Sequence, residues 1–521
     1  MIRENNIHLL KTGARLWDFI VIGGGATGLG IAVDAASRGF ETVLLEQTDF
    51  SKLTSGRSTK LVHGGVRYLQ KGNITLVLEA LRERGHLFRN AAHLVKDQRF
   101  IVLNYRWWEK PFYTIGLTLY DRLSGKLRLG RSIPISKKQV VKSIPQIIQK
   151  GLRGGVLYHD GQFDDSRLAI NLMQTASEMG ATVVNYAKVT NLLKNNGKVS
   201  GVIVSDETNG EVFELKGKCI VNATGIFADD IIRMDDREKA PMLRPSQGIH
   251  LVIDRSFLGG DDAIMIPKTS DGRVLFGVPW HNRVILGTTD TPVDDFLPEP
   301  KPLEEEIDFL LKTSAKYLKK PPQRKDVLSV FAGLRPLSAP KRRTNKKKTK
   351  EISRRHKLFI SPSRLITITG GKWTTYRQMA QETVDLGVRK CGLPHKKCVT
   401  KELKIHGCQP TSDHSNWRYV YGSDGSKIFA LQNEKPEYSG KLHPDFDFLV
   451  AEVVWAVREE MAVTVEDVLA RRVRALYLNA RAAKDMAPKV AHIIAQELGN
   501  SNEWEKKQVE EFTELANNYI L

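Results

Sequence analysis

FIVIGGGATGLGIAVDAASRGFETVLLE, residues Phe19 to Glu46, is one continuous signature. Phe19-Ile20-Val21-Ile22 is a short apolar run of the kind that forms a buried strand. Gly23, Gly25 and Gly28 follow in the spacing G-x-G-x-x-G. The pattern predicts a helix from Ala26 to Ser37, stopped at Gly39, and a second strand from Thr42 to Leu45 that ends in Glu46. Each residue type has a physical task in a βαβ dinucleotide fold. Gly23 permits the tight turn, Gly25 lets backbone approach a pyrophosphate, and Gly28 lets helix and strand pack closely. The helix N-terminus offers unpaired N–H groups and the positive end of its dipole to phosphate. Glu46 stands where a carboxylate accepts from ribose hydroxyls. Strand, turn, helix, strand and acid in this order predict a nucleotide cofactor.

With 521 residues the chain has room for about three domains. A hydrophobic content of 41% is that of a globular protein. No apolar run reaches the length of about 18 residues that a membrane-spanning helix needs. Met1 to Trp17 carries scattered charges and no apolar signal-peptide core, so a cytoplasmic location is expected. Four cysteines argue against a disulfide framework. Cys391, His395, Cys398, His406 and Cys408 cluster loosely without the tight pairs of common zinc sites, and no metal is expected. The net charge of +20 is the strongest bias. It favours anionic partners such as nucleic acid, an acidic membrane or a phosphorylated substrate. Part of it lies in Lys341 to Lys357 (KRRTNKKKTKEISRRHK), which reads either as a solvated loop or as an electrostatic foot on anionic lipid.

Further along, helical spacing spans Ile74 to Leu94. Trp107 to Tyr120 (WWEKPFYTIGLTLY) reads first as a helix packed on a core and second as one dipping into a membrane interface. Gly155 to Asp165 is a strand and turn, followed by a helix from Ser166 to Glu178 with Ser as its cap. Ala181 to Tyr186 and Val199 to Val204 alternate like strands, and Asn195-Asn196-Gly197 is a turn signal. Lys218 to Gly225 is a strand ending in small residues. Ile249–Ile253, Ala263–Ile266, Val274–Val278 and Val284–Leu286 read as antiparallel strands. A helix is expected from Leu303 to Leu318, and helices from His443 onward, including Phe448 to Glu460 and Val465 to Ala483.

Three further stretches, TSGRSTKLVHGGVRYL (Thr54–Leu69), GLRPL (Gly333–Leu337) and TITGGKWTTYR (Thr367–Arg377), resemble motifs of the FAD-dependent glycerol-3-phosphate dehydrogenases. VNATG (Val221–Gly225) and GTTDTP (Gly287–Pro292) fit the same pattern, and VEDVLARRVRALYLN (Val465–Asn479) is similar to that family's helical cap. The resemblance implies non-covalent FAD and oxidation of sn-glycerol 3-phosphate to dihydroxyacetone phosphate by hydride transfer to the flavin. It also implies electron delivery to membrane quinone and peripheral attachment to the inner face of the cell membrane. The fold class expected is α/β: an FAD-binding Rossmann-like domain, an antiparallel-sheet substrate domain and a C-terminal all-helical cap domain. The expected division is 1–80 with 200–242 and 340–390 for FAD, 81–199 with 243–339 for substrate, and 391–521 for the cap.

The FAD contacts rest first on Gly23, Gly25, Gly28 and Glu46. The resemblance adds Ser58, Thr59 and Leu61. Ala223, Thr224 and Gly225 follow a strand, where small residues can flank the dinucleotide. Gly370, Gly371 and Lys372 precede a helix starting near Thr374, whose N-terminus would face the flavin pyrimidine carbonyl, where reduced flavin gathers charge. The substrate phosphate needs fixed cations, and Arg suits it by binding bidentately. Arg335 is the first candidate, with Lys372 and Arg67, and Tyr68 beside them. His250, in SQGIH, matches a substrate-site histidine of the family and is the candidate base for the hydroxyl proton, or else only its hydrogen-bond partner. His63 is a second candidate, placed more like a structural residue. One departure is Ser353-Arg354-Arg355-His356, where the family often has an acid beside the arginine. Rival readings are a glycerol-3-phosphate oxidase using O2, an amine or amino-acid oxidase, a flavin-dependent nucleic-acid-binding protein, and a non-enzymatic membrane adaptor. No specific nucleic-acid partner is expected, and a homodimer is left open.

Overall fold

The structure is a computed structural model that describes residues 2–12, 15–70, 72–269, 272–293, 298–338, 355–409, 414 and 416–521. The basic run Lys341 to Lys357 lies almost wholly outside the described residues, as do Ser353 and Arg354.

Two large sheets organise the chain. In the first, five parallel strands lie in the order Ile366–Thr369, Val212–Asn222, Leu16–Ile22, Thr42–Leu45 and Thr182–Val184. Phe19, Ile20 and Val21 are fully buried, because helices and a hairpin cover both faces of the sheet. The helix Ala26–Ser37 runs between the sheet and two others, Asp165–Glu178 and Tyr376–Cys391. An antiparallel strand, Lys357–Ile360, closes one edge. The hairpin of Ala187–Asn195 and Lys198–Asp206 extends from Val212–Asn222. Its turn uses Asn196 and Gly197, both with positive φ, as the Asn-Gly signal requires.

The second sheet has ten strands and is antiparallel except where Ala263–Ile266 runs parallel to Val95–Asn104. Its longest pairing joins Leu243–Asp254 to Val327–Ser338, with His250 opposite Phe331 and Ser246 opposite Arg335. Side chains two or four apart on a strand share a face, so this register puts Arg335 and His250 on the same side of the sheet.

The C-terminal part is helical and is held to the first sheet by buried ion pairs. Asp49 accepts from Arg472 Nη1 at 2.7 Å and also pairs with Arg471. Arg167 makes a two-pronged contact with Glu460 at 2.7 and 2.8 Å, and Arg474 Nη2 reaches Asp165 at 2.9 Å.

Several expectations need correction. Thr182–Val184 and Ala187–Asn195 belong to the first sheet, not with the substrate domain at 81–199, because Thr182–Val184 continues the parallel order beside Thr42–Leu45. Leu61–Val62, placed in the FAD segment 1–80, pairs instead with Gly154–Phe163 in the second sheet. The helix Asp165–Glu178 is capped by Asp164, which accepts from the Arg167 N–H at 3.0 Å, rather than by Ser166. The helix from Ile74 stops at Asn90, and that from Glu304 stops at Ser314. The continuous helix expected over Val465 to Ala483 is a π-helical turn, Asp467–Arg472, then Ala475–Leu478 and Ala480–Leu498. Arg474, at φ 68°, makes the first break, and its side chain is the one that reaches Asp165. The helix Glu109–Ser124 meets the core along one face only. Leu117 and Tyr120 are buried, whereas Trp108, Phe112, Ile115 and Leu119 are exposed at helical spacing, with Trp107 beside them.

Candidate active site

The carboxyl ends of four neighbouring parallel strands converge on one groove. Ile22 leads into Gly23, Leu45 into Glu46, Asn222 into Ala223, and Thr369 into Gly370. Ligands of open α/β sheets bind at such ends. Gly23, Gly25, Glu46, Ala223, Thr224, Gly225, Gly370, Gly371 and Lys372, each expected at the cofactor, all line this groove. Gly23 takes φ 110°, and a side chain there would lie 2.8 Å from the Ala223 carbonyl. Gly28 lies beneath, where an added Cβ would come within 1.8 Å of the Gly23 carbonyl. The first turn of Ala26–Ser37 opens onto the groove, and Ser55 Oγ accepts its Ala26 N–H at 2.9 Å. Glu46 accepts from the Gly24 N–H at 2.6 Å and from the Thr48 N–H at 2.9 Å. Burial nevertheless holds its carboxyl above the ordinary range, with those donors opposing. Gly370 and Gly371, at φ 75° and 86°, turn the chain into a short 3-10 segment, Trp373–Thr375, and then the helix from Tyr376. Trp373 Nε1 donates to the Ser55 carbonyl at 2.8 Å, which ties the two glycine-rich walls together.

A dinucleotide fits these residues. The walls are backbone and small side chains, a helix start faces the phosphate position, and a carboxylate stands at the end of the second strand. Residues in these places would hold FAD.

Ser58, Thr59 and Leu61 do not line the groove; Ser51, Lys52, Leu53, Thr54 and Ser55 supply that wall. The Ser58 hydroxyl donates to Asp165 Oδ2 at 2.7 Å, and Leu61 is buried in the second sheet. Thr59 Oγ1 stands 2.9 Å from His250 Nε2, so this segment links the groove to the histidine. Thr374 Oγ1 accepts from the His63 N–H at 3.2 Å, a structural bond between two walls.

His250 is buried and its ring stacks on Phe331, centroids 4.9 Å apart. Burial, then the nearby Lys60 and Arg335 cations, push its imidazole well below the usual histidine range. It is therefore neutral near pH 7. Arg335 is aimed by main-chain acceptors: Nη1 donates to Gln247 O at 3.2 Å and Nη2 to Thr289 O at 3.0 Å. Its only carboxylate within 4 Å among the described residues is Asp290, at 3.5 Å. Two glycines make room for both side chains. A Cβ on Gly248 would lie 2.3 Å from Arg335 Nη2, and one on Gly287 would lie 2.2 Å from His250 Cδ2. Pro336, next to Arg335, is itself a groove residue. Lys372 lines the groove, and its ammonium sits 3.9 Å from the centroid of the Tyr68 ring, a cation–π contact. Arg67 lies on the same short helix as Tyr68, Val66–Gln70; its side chain is outside the described residues.

The sequence reading missed Lys60. It is fully buried, pairs with Asp165 Oδ2 at 2.6 Å, and is ringed by Trp280, Phe331 and Tyr477 at 5.3 to 5.4 Å. Its position after Ser58 and Thr59 in the TSGRSTK stretch was the available signal. Among the described residues no group of three His, Cys, Asp or Glu side chains is placed to hold a metal.

Two family models match the chain: "FAD dependent oxidoreductase" over residues 18–377 and "C-terminal domain of alpha-glycerophosphate oxidase" over residues 362–508. A probable mitochondrial glycerol-3-phosphate dehydrogenase of Caenorhabditis elegans is 40% identical, covering 95% of this chain and 72% of the relative. The mitochondrial glycerol-3-phosphate dehydrogenase of Homo sapiens is 37% identical, with 97% and 73% covered. The crystal structure of a glycerol-3-phosphate dehydrogenase from Bacillus halodurans complexed with FAD superposes with a TM-score of 0.81 at 27% identity, over 100% of this chain and 99% of that one. An L-alpha-glycerophosphate oxidase from Mycoplasma pneumoniae, with FAD bound, shares the fold at a TM-score of 0.56 and 16% identity over 75% of this chain and 98% of that one.

Proposed function

We propose, for a chain that belongs to the FAD-dependent glycerol-3-phosphate dehydrogenases, that Arg335 and Lys372 anchor the phosphate of sn-glycerol 3-phosphate, that His250 takes the hydroxyl proton, and that electrons leave to a membrane quinone. The observation that carries this reading is the shared face of Arg335 and His250 beside the glycine-lined groove. The substrate dianion needs fixed donors, and Arg335 is pre-oriented by two carbonyls and Thr288. His250 is neutral and can accept a proton through the nitrogen that now meets Thr59. FAD, when bound, supplies the two-electron acceptor. Lys372 lines the groove and its ammonium meets the Tyr68 ring, and Arg67 is a further phosphate contact in this reading. An amine or amino-acid oxidase needs one arginine for a carboxylate, whereas a second cation here fits a dianion better.

The membrane side of the proposal rests on the helix Glu109–Ser124. Trp108, Phe112, Ile115 and Leu119 form an exposed apolar stripe, and Arg122, Lys126, Arg128 and Arg131 follow it on the surface. Apolar residues beside basic ones suit the interface of an anionic bilayer. No helix among the described residues is long and apolar enough to cross a membrane. The helix that carries the stripe is tied to the segment just before Val66–Gln70, since the Gly64 N–H donates to Tyr120 Oη at 2.7 Å. Attachment is thus peripheral in this reading, on the inner face of the cell membrane, with quinone reached from that side.

The test is reoxidation of substrate-reduced enzyme on anionic vesicles. Fast reoxidation by a ubiquinone analogue with slow reoxidation by O2 is expected. Equal or faster reaction with O2 would make the protein an oxidase. Ile115→Ser with Phe112→Ser should release the enzyme from the vesicles while leaving substrate-driven flavin reduction intact. Vesicle binding unchanged in that variant would remove the helix from the membrane role.

A further inference from the structure

Between the second sheet and the helical cap lies a crevice of about 1160 Å³ that the proposed reaction does not use. Its walls come from the start of Val95–Asn104, the turn between Leu275–Trp280 and Arg283–Gly287, and cap residues around Trp417 and Phe446. That volume suits a ligand of nucleotide size.

The charge on the walls is not balanced. Most carboxylates are already paired: Asp262 with Arg99 at 2.6 Å, Asp447 with Lys441 at 2.6 Å, Asp97 with His159 at 2.8 Å, and Asp261 with Arg255. Asp164 meets His281 at 3.4 Å and Arg474 at 3.6 Å. Asp445, exposed, is the remaining carboxylate among the described residues of the walls. Among the described residues of the walls, three cations have no carboxylate closer than 3.9 Å. Lys96 is half-buried, its ammonium has no hydrogen bond or ion pair among the described residues, and burial presses that ammonium below the ordinary range, with Asp261 opposing. Arg283 Nη1 donates to Asn282 O at 3.0 Å, but its nearest carboxylate among the described residues, Asp254, is at 3.9 Å, its buried Nε has no acceptor, and its guanidinium lies over Phe446 at 5.5 Å. Arg418 donates to the Asp447 carbonyl at 3.2 Å, and its Nε is also buried without an acceptor. A buried guanidinium N–H calls for an acceptor; Arg167, Arg472 and Arg474 on these walls also have an Nε without one, but their guanidinium groups are already paired with carboxylates. Phe446 stacks on Phe448, centroids 4.9 Å apart, and gives the same crevice an aromatic wall.

We propose that this crevice binds a phosphate-bearing small molecule with two or more negative charges, held by Lys96, Arg283 and Arg418, and that the ligand bridges the cap to the substrate sheet. Lys96 and Arg283 come from the sheet and Arg418 from the cap, so one polyanion would replace missing carboxylates on both sides.

The test is calorimetric titration of the FAD-loaded enzyme in saturating sn-glycerol 3-phosphate, which keeps the active-site cations occupied. ADP and tripolyphosphate are the probes. Stoichiometric binding of either one is expected, weakened 10-fold or more in Arg283→Gln and in Lys96→Met, with kcat and KM for sn-glycerol 3-phosphate unchanged. Unchanged kinetics also show that each variant folds, and either variant alone suffices if the other does not fold. No binding of either probe, binding undiminished in a folded variant, or displacement of the probe by substrate near its KM would each overturn the proposal.

Discussion

The glycine-lined groove and the proposed anion pocket beside it are built by opposite means. The groove is made of backbone: glycines and small residues at the ends of parallel strands, drawn from segments each written within a few residues. The pocket is made of long side chains, and each is aimed by a partner far away in sequence. Arg335 depends on Gln247, Thr288 and Thr289, and His250 depends on Thr59 and Phe331. At Gly23 and Gly28 the backbone site leaves no room for an added atom, whereas a side-chain site loses function when a distant support moves.

That contrast can be tested. The largest effect is expected for Gly28→Ala, since the new Cβ meets a main-chain oxygen at 1.8 Å. Purified protein should lack FAD absorbance; full FAD content would show that the groove is more adaptable than described. Arg335→Ala should lower kcat/KM for sn-glycerol 3-phosphate by about 3 kcal/mol or more, roughly a hundredfold to a thousandfold, as loss of a buried charge contact does. Arg335→Lys should recover only part, because it lacks the fork. Of comparable size, but in stability, Asp49→Ala should cost about 3–5 kcal/mol in denaturant unfolding by stranding the buried Arg471 and Arg472. An unchanged midpoint would mean that the cap is held by apolar packing alone. His250→Asn should reduce kcat by about a hundredfold, the low end for a lost general base. A drop confined to KM would reduce His250 to a hydrogen-bonding group.

The smallest effect is in pH. Burial would raise the Asp49 carboxyl, but Arg472 and Arg471 hold it at about 2, and Arg471 and Lys52 likewise hold Glu466 at about 2 against burial. Both folded values lie below the unfolded ones of about 4. Their contribution is therefore present above pH 4 and is lost as pH falls toward 2, roughly 2–3 kcal/mol each. Thermal unfolding followed from pH 5 to pH 2.5 should show the midpoint falling most steeply below pH 4, with the drop reduced in Asp49→Asn relative to its own value at pH 5.

The same contrast decides what the sequence could reveal. The strand, turn and helix of Phe19 to Ser37 are local, and the structure places them as read. Gly370 and Gly371, with the helix that follows, were legible for the same reason. The strand at Thr182–Val184 is legible as a strand but not its place beside Thr42–Leu45, because alternation shows a strand without showing its neighbour, and Ala187–Asn195 carries no such signal. The break at Arg474 was invisible, since its left-handed backbone is stabilised by Asp165, some three hundred residues away. Lys60 was passed over because nothing local shows that it is buried against Asp165 and three aromatic rings. The exposed stripe on Glu109–Ser124 was read first as a core face, since apolar spacing alone does not say which side is covered.

The most direct test of the central claim is anaerobic titration of the FAD-loaded protein with sn-glycerol 3-phosphate and with glycerol, following the oxidised-flavin band near roughly 450 nm. The account predicts stoichiometric bleaching by sn-glycerol 3-phosphate, none by glycerol at the same concentration, and bleaching abolished or shifted to far higher substrate in Arg335→Ala. Equal bleaching by glycerol, or an unaltered titration in Arg335→Ala, would contradict the assignment of Arg335 as the phosphate anchor beside the flavin groove.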